Sequence, residues 1–348
     1  MIKLKRRYRI GVDTGGTFTD VVLVDESSGE MLVAKVATVP SDPSVGCMNG
    51  IEKALSEHGI DAAEIVFSVH GTTIATNTII EGKGAKAGLI TCAGFRDVLE
   101  IAYQTRPTLY DIFYDKPVPL IPRYLCQGVG ERTGPDGETI TPLDEQSVRS
   151  VARFFAAEEV EAVAVALLHA YKNPNSERRV EQILSEECPQ IPVVLSSDIS
   201  PEYREYPRTS TTVVNTVLLP RVGPYIANLE EKLHLRGINS GLHLMSSSGG
   251  IIAANVAKRQ PVQMVESGPA AGKRPGAKAL QDGANGAARK RRGSARRGAA
   301  RRGSARRGSA RRGAARRGSA RLGAARRGAA RLGSTGFGGS PPPKSTLN

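Results

Sequence analysis

The chain has 348 residues, 40% of them apolar, which suffices for two domains with a packed core. Its formal charge of +14 is very unevenly distributed: residues after Gly272 carry +21, and those before carry −7. A mildly acidic body has no basic stripe for nucleic acid, so any such contact is expected through the tail alone.

Three β-rich runs open the chain, Tyr8 to Val12, Phe18 to Asp25 and Met31 to Thr38, separated by turn-like TGGT and ESSGE, and predict a β-meander. Ser44 is expected to cap a helix from Val45 to His58, where Val45, Met48, Ile51 and Leu55 are helically spaced and Gly59 sits at the C′ position. Strand Ile65 to Val69, helix Ile74 to Glu81, strand Ala87 to Thr91 and a short helix Phe95 to Ile101 follow. The proline-rich stretch Tyr103 to Arg132 reads as a long loop excursion, of the kind that is often functional. Beyond the turn Gly134-Pro135-Asp136-Gly137, Asp144 caps a helix through Ala157. Strand Ala162 to Leu168, helix Ser176 to Cys188 and strand Val193 to Ser196 come next. A long helix, Thr209 to Lys232, is expected to bend or restart at Pro220 and Pro224, and strand Leu242 to Ser246 runs into Ser247-Ser248-Gly249-Gly250. Three strands followed by alternating helix and strand define a mixed α/β lobe.

From Arg291 to Ser334 the sequence repeats every five residues as RRGSA, RRGAA or RLGAA. A glycine in every repeat costs a helix about 1 kcal/mol relative to alanine, and adjacent arginines repel, so a disordered tail is expected. The abrupt loss of apolar patterning, with a composition typical of GC-rich DNA read out of frame, points to a truncated or frameshifted product. The competing reading is a genuine basic tail that binds nucleic acid or acidic surfaces.

Cys47, Cys92, Cys126 and Cys188 form no C-x-x-C pair, which argues against a zinc knuckle, a redox motif or a disulfide scaffold and for a cytoplasmic protein. Basic Met1 to Arg7 leads straight into a strand, unlike a signal peptide. The longest apolar run, Val160 to Leu168, is interrupted by Glu161 and too short for a bilayer, so no membrane partner is expected. The five histidines show no H-x-x-x-H spacing, and no protein-bound transition metal is expected.

The strongest local signal is Asp13-Thr14-Gly15-Gly16-Thr17-Phe18-Thr19-Asp20, between the first two strands. Glycines allow close backbone approach to an anion, and successive N–H groups in such a turn form an anion-binding concavity. Thr14, Thr17 and Thr19 add hydroxyl donors. Asp13, at a strand end, is suited to hold Mg²⁺ through water. Alternatively, Gly15-Gly16 simply makes a primed hairpin turn. No Rossmann or Walker-type glycine motif occurs before the tail.

The segment GVDTGGTFTDVVLVD resembles the first phosphate motif of the actin/hexokinase-like (ribonuclease H-like) ATPase fold, in the form used by the hydantoinase A/oxoprolinase family. Further matches run in family order: Val69 to Asn77 (VHGTTIATN), Gly94 to Asp97, Arg106-Pro107 to Tyr110-Asp111, Glu131-Arg132, Ser200 to Thr212, Ser246 to Gly250 and Glu266 to Gly272 (ESGPAAG). The resemblance covers residues 8–272. It implies an actin/hexokinase-like ATPase lobe with a mixed sheet and flanking helices, binding ATP and Mg²⁺ at Asp13, Thr14, Gly15, Gly16, Thr17, Thr19 and Asp20. It also implies ATP-driven opening of a small cyclic amide, a hydantoin or 5-oxoproline, through phosphorylation of the amide oxygen, with a hydantoinase B-type partner subunit. Sister branches carboxylate ketones. Family members commonly have a histidine where Ser176 precedes Glu177-Arg178-Arg179, and they continue past SGPAAG into a second lobe with another Asp-x-Gly-Gly-Thr motif. The expected chain is therefore an incomplete ATPase lobe, or a non-catalytic nucleotide-binding module. Its expected layout is residues 1–200 as N-terminal domain, 201–272 as a truncated start of the catalytic region and 273–348 as tail.

Two side chains are candidates for catalysis. His70 ends an apolar strand, as a general base, a substrate contact or a hydrogen-bonded structural residue. Asn77, one helical turn beyond Thr73, orients a ligand or merely packs. Arg204, Glu205 and Arg208 read as an ion-paired surface ahead of a helix, or as a substrate contact.

Overall fold

Alternation of apolar and polar residues in YRIGVDT and FTDVVLVD buries Tyr8, Ile10 and Val12 on one strand and Val21 and Leu23 on the next. These strands, β1 (Tyr8–Thr14) and β2 (Phe18–Asp25), pair antiparallel, and β3 (Met31–Ala37) completes the expected meander. The structure, a computed structural model, describes residues 6–105, 108 and 110–266, all within one compact unit. Arg106, Pro107, Ser267 to Gly272 and the repeats lie outside the described residues.

Helix α1 (Pro43–His58) packs on the meander so closely that a Cβ at Gly50 would lie 2.8 Å from Val21 Cγ2. Its cap is Asp42 rather than Ser44: with Pro43 at the first helical position, the Asp42 carboxylate accepts from the Ser44 N–H at 3.0 Å and from its hydroxyl. Gly59 ends it in the left-handed conformation, as expected.

Strand β4 (Ile65–Thr72) adds parallel to β1, and α2 (Ile74–Ile80) follows. A second sheet then begins with β5 (Ala87–Cys92), followed by α3 (Val98–Ile101). The loop excursion is shorter than expected, because Cys126–Val129 forms β6 beside β5. A small ribbon, β7 (Arg132–Thr133) with β8 (Thr139–Thr141), precedes α4 (Glu145–Ala157), which Asp144 caps as predicted. Strand β9 (Ala162–Ala166), helix α5 (Asn175–Glu187), β10 (Val193–Leu195) and α6 (Ser196–Ile199) complete an all-parallel sheet of order β10-β9-β5-β6.

Helix α7 (Glu205–Leu235) is continuous, with Pro220 and Pro224 inside it. The expected restart therefore does not occur, and both ends of the helix are anchored. Near its start Arg208 Nη2 donates to the Leu167 carbonyl beyond β9 at 2.8 Å, and near its end Lys232 reaches Asp42 and Ser44 at the start of α1. Strand β11 (Leu242–Met245) adds parallel to β4, and β12 (Ile251–Ala253), which leads into α8 (Ala254–Arg259), was not anticipated. The first sheet thus runs β12-β11-β4-β1-β2-β3, mixed and flanked by helices, as the sequence implied. No helix among the described residues is long and apolar enough to cross a membrane.

Candidate functional site

The parallel strands β1, β4 and β11 end on one edge of the first sheet, and open α/β sheets hold ligands beyond the carboxyl ends of their strands. Three segments meet there: the glycine turn after β1, Gly71 to Thr73 after β4, and Ser246 to Gly250 after β11.

In the glycine turn, Gly15 N–H donates to the Phe18 carbonyl at 3.0 Å, and neither Gly15 nor Gly16 takes a left-handed φ. A primed hairpin turn requires such angles, so that reading of the motif is set aside. What Gly16 provides is space, since a Cβ there would have no atom within 4 Å. The turn is braced from β3 by Thr38, whose hydroxyl donates to the Gly15 carbonyl at 2.9 Å and bonds Thr19 Oγ1 at 3.1 Å. Thr19 is therefore buried and engaged within the fold, while Thr17 is exposed. Thr14 is 3% exposed and its hydroxyl has no hydrogen-bond partner, a cost that a ligand oxygen would remove.

Asp13 and Asp20 face each other across β1 and β2. Burial and the Asp20 charge raise the pKa of Asp13 above the usual carboxylate range. Lys35 Nζ pairs with Asp20 at 2.6 Å. On the other side of Asp13, a Cβ at Gly71 would stand 3.1 Å from its Oδ1, so the glycine after His70 makes room for the carboxylate. Like charges directly opposed in a sheet are unfavourable unless a cation lies between or beside them.

His70 lies beneath this edge, 1% exposed, with Nε2 2.8 Å from the Tyr225 hydroxyl on α7. Burial pushes its pKa down to about 4 against the opposing influence of the Val12 carbonyl, so the ring is neutral at physiological pH. Burial likewise raises Tyr225, which also bonds Thr72. Asn77 is half-buried, and its amide donates to Thr73 Oγ1 at 3.2 Å. Behind it Thr76 donates to the Val265 carbonyl, which brings Val265 and Glu266 against α2. In the third segment Ser246 and Ser248 bond each other at 3.1 Å, and Ser247 donates twice to the Gln263 carbonyl.

Arg208 corrects another expectation. It is 1% exposed, not part of an ion-paired surface, and bonds the Leu167 and Glu202 carbonyls and Ser196 Oγ. Ser196 in turn donates to buried Glu177 at 2.6 Å. Thr38, Tyr225 and Gln263 escaped sequence reasoning, because each supports the edge from an element remote in sequence and no local spacing signals it.

The fold is thus a mixed α/β lobe that carries a glycine turn, opposed carboxylates and an unpartnered hydroxyl at the carboxyl edge of its first sheet. The chain belongs to the hydantoinase/oxoprolinase family: the model of the family's N-terminal region matches residues 9–188, and a second hydantoinase/oxoprolinase model matches residues 208–285. It is 43% identical over 268 residues to an uncharacterized protein of Methanocaldococcus jannaschii, covering 76% of this chain and 39% of that protein. It is 34% identical to caprolactamase subunit alpha of Pseudomonas jessenii, again over 76% of this chain and 39% of the relative. The solved nucleotide-free structure of acetone carboxylase superposes with a TM-score of 0.70 at 30% identity, over 76% of this chain and 39% of that one. The chain thus spans about two fifths of the length of these relatives.

Proposed function

We propose that this chain is the first nucleotide-binding lobe of an ATP-dependent enzyme that opens a cyclic amide. The observation that carries the reading is the conjunction at one sheet edge of Asp13 opposite Asp20, the unpartnered Thr14 hydroxyl and the open Gly16. In the actin/hexokinase-like arrangement, the N–H groups of Gly16 and Thr17 and the Thr14 hydroxyl bind phosphate oxygens, while the Gly15 N–H closes the turn on the Phe18 carbonyl. Asp13 and Asp20 would hold Mg²⁺, since a hard cation prefers oxygen ligands and would relieve the repulsion of the two carboxylates. ATP supplies a phosphoryl group to the amide oxygen, which turns an unreactive carbonyl into an electrophile with a good leaving group. The protein's contribution is positioning and charge stabilisation. Asn77 orients Thr73 toward the ligand. His70, neutral and buried, is a positioning residue that holds the end of β4 against α7 through Tyr225.

The relatives named as subunits support a partner subunit, which we take to be of hydantoinase B type. The likeness to acetone carboxylase favours a second reading, in which the phosphorylated oxygen is that of a ketone. Calorimetry with Mg-ATP tests the common element. Magnesium-dependent binding by the chain, lost in Asp13→Asn, is the expected result; absence of binding by the unaltered chain overturns both readings.

A further inference from the structure

The first sheet has one covered face and one open face. Helices α1 and α7 pack on the face that carries Val21 and His70: a Cβ at Gly50 of α1 would meet Val21, and Tyr225 of α7 bonds His70. Alternate residues point the other way, and there the strand register sets three rows across the sheet. Val33, Val22, Gly11 and Val69 stand in line from β3 to β4 as the middle row. Met31, Val24, Arg9 and Phe67 flank it on one side, and Lys35, Asp20, Asp13 and Gly71 on the other. None of the apolar side chains in these rows is buried, and Val33 is 61% exposed on the edge strand β3. A sheet face left to water ordinarily carries polar residues, so valines, a methionine and a phenylalanine in register mark a contact surface.

The rows fit a second copy of themselves. Arg9 and Lys35 offset Asp13 and Asp20, so the rows have no net charge to repel their own kind. Arg9 and Asp13 are equidistant from Gly11 along β1, two residues either way, and the Arg9 side chain is 62% exposed. A two-fold axis in the plane of the contact, running along the middle row, lays β1 over β1 of the second copy with its direction reversed. Arg9 of each copy then faces Asp13 of the other, the Phe67 ring faces the bare backbone of Gly71, and the valines of the middle row meet their equivalents. Strands β1 to β4 are 7 or 8 residues long, which gives a face of about 500 Å² on each copy at about 4.8 Å between strands and about 3.4 Å per residue. About 1,000 Å² in total is the size of a weak, reversible association.

We propose that this open face pairs two copies of the chain in solution, stacked sheet on sheet through the middle-row valines and reciprocal Arg9–Asp13 contacts. The contact is read from the sheet and does not depend on the nucleotide reading. Its one link to that reading is Asp13. Where the carboxylate holds Mg²⁺, as under the proposed function, it is not free for Arg9 of the second copy, so the dimer and the Mg-ATP complex exclude each other.

Sedimentation equilibrium of the full chain tests it, at about 0.15 M salt so that charges outside the contact are largely screened. A reversible dimer with a dissociation constant on the order of 10–100 µM is expected. Val33→Asp sets two carboxylates against each other at a position open to water in the monomer, and weakens the dimer about tenfold. Arg9→Asp weakens it by a similar factor, and Arg9→Asp combined with Asp13→Arg restores it, because the reciprocal pairs re-form with their charges exchanged. Thermal unfolding checks that each variant is folded. In a chain that calorimetry shows to bind Mg-ATP, saturating Mg-ATP lowers the dimer fraction. A chain that stays monomeric up to about 200 µM overturns the proposal, as does a dimer that Val33→Asp leaves unchanged, one that the charge exchange fails to restore, or one that bound Mg-ATP does not disturb. Failure to bind Mg-ATP overturns the nucleotide reading instead, and the substitutions then decide the dimer without it.

Discussion

The buried imidazole of His70 makes the stability of this lobe depend on pH in a defined window. Its pKa is about 4 in the folded chain, against about 6.5 when unfolded. Between these values the unfolded state binds the proton more readily, so stability is fully present above about pH 6.5 and falls as the pH drops toward 4. At about 1.4 kcal/mol per pH unit, lowering the pH from about 7 to about 4.5 removes about 2–3 kcal/mol through this residue alone. Below about pH 4 both states are protonated and the loss stops. The control is His70→Gln, which keeps a hydrogen-bonding group toward Tyr225 but does not titrate. Equilibrium urea unfolding of both proteins at the two pH values isolates the term, because carboxylates common to both, including raised Asp13, cancel in the difference. His70→Gln is expected to lose less stability on acidification than the unaltered chain, by about 2–3 kcal/mol. A difference that stays the same at both pH values, within about 0.5 kcal/mol, refutes the argument that the imidazole is neutral in the fold.

Three further perturbations test other contacts. Asp13→Asn removes the repulsion with Asp20 and is expected to raise stability by about 0.2–1 kcal/mol in thermal or urea unfolding while Mg-ATP binding is lost; destabilisation contradicts the opposed-carboxylate reading. Gly88→Ala places a Cβ 2.6 Å from Phe155 Cζ and is expected to cost about 1–3 kcal/mol in urea unfolding, with partial recovery when Phe155→Leu is added. Arg208→Met removes the donors to the Leu167 and Glu202 carbonyls and to Ser196, whose hydroxyl bonds buried Glu177, an expected loss of about 1–3 kcal/mol by chemical denaturation.

Local periodicity carried most of the fold. The alternation in β1 and β2, the capping by Asp144 and the C′ glycine at 59 are each decided within a few residues, and all are present. One cap was misplaced by two residues: Ser44 was expected, and the structure gives the role to Asp42, with Pro43 at the first helical position. Tertiary effects were illegible. A helix with prolines at 220 and 224 reads as bent or restarted, whereas it runs unbroken between contacts to Leu167 and Asp42, far away in sequence. Arg208 misled for a similar reason, since a cation beside Glu205 looks solvated until β9 and α6 close over it.

The site residues divide along the same line, with a physical consequence for how the edge is built. Asp13, Gly15 and Gly16 were legible because a turn that receives an anion needs glycine and oxygen in a short span. The residues that hold that turn open, Thr38 and Tyr225, come from the end of β3 and the middle of α7. The turn itself contains unfavourable features, opposed carboxylates and a buried hydroxyl without a partner. A short turn with such features would collapse or rotate to satisfy them if it were free. Thr38 prevents this by fixing the Gly15 carbonyl and Thr19 together, and Tyr225 fixes the floor beneath Asp13 through His70. The unfavourable geometry is thus maintained by distant packing, and under the proposed function phosphate oxygens and a cation would relieve it.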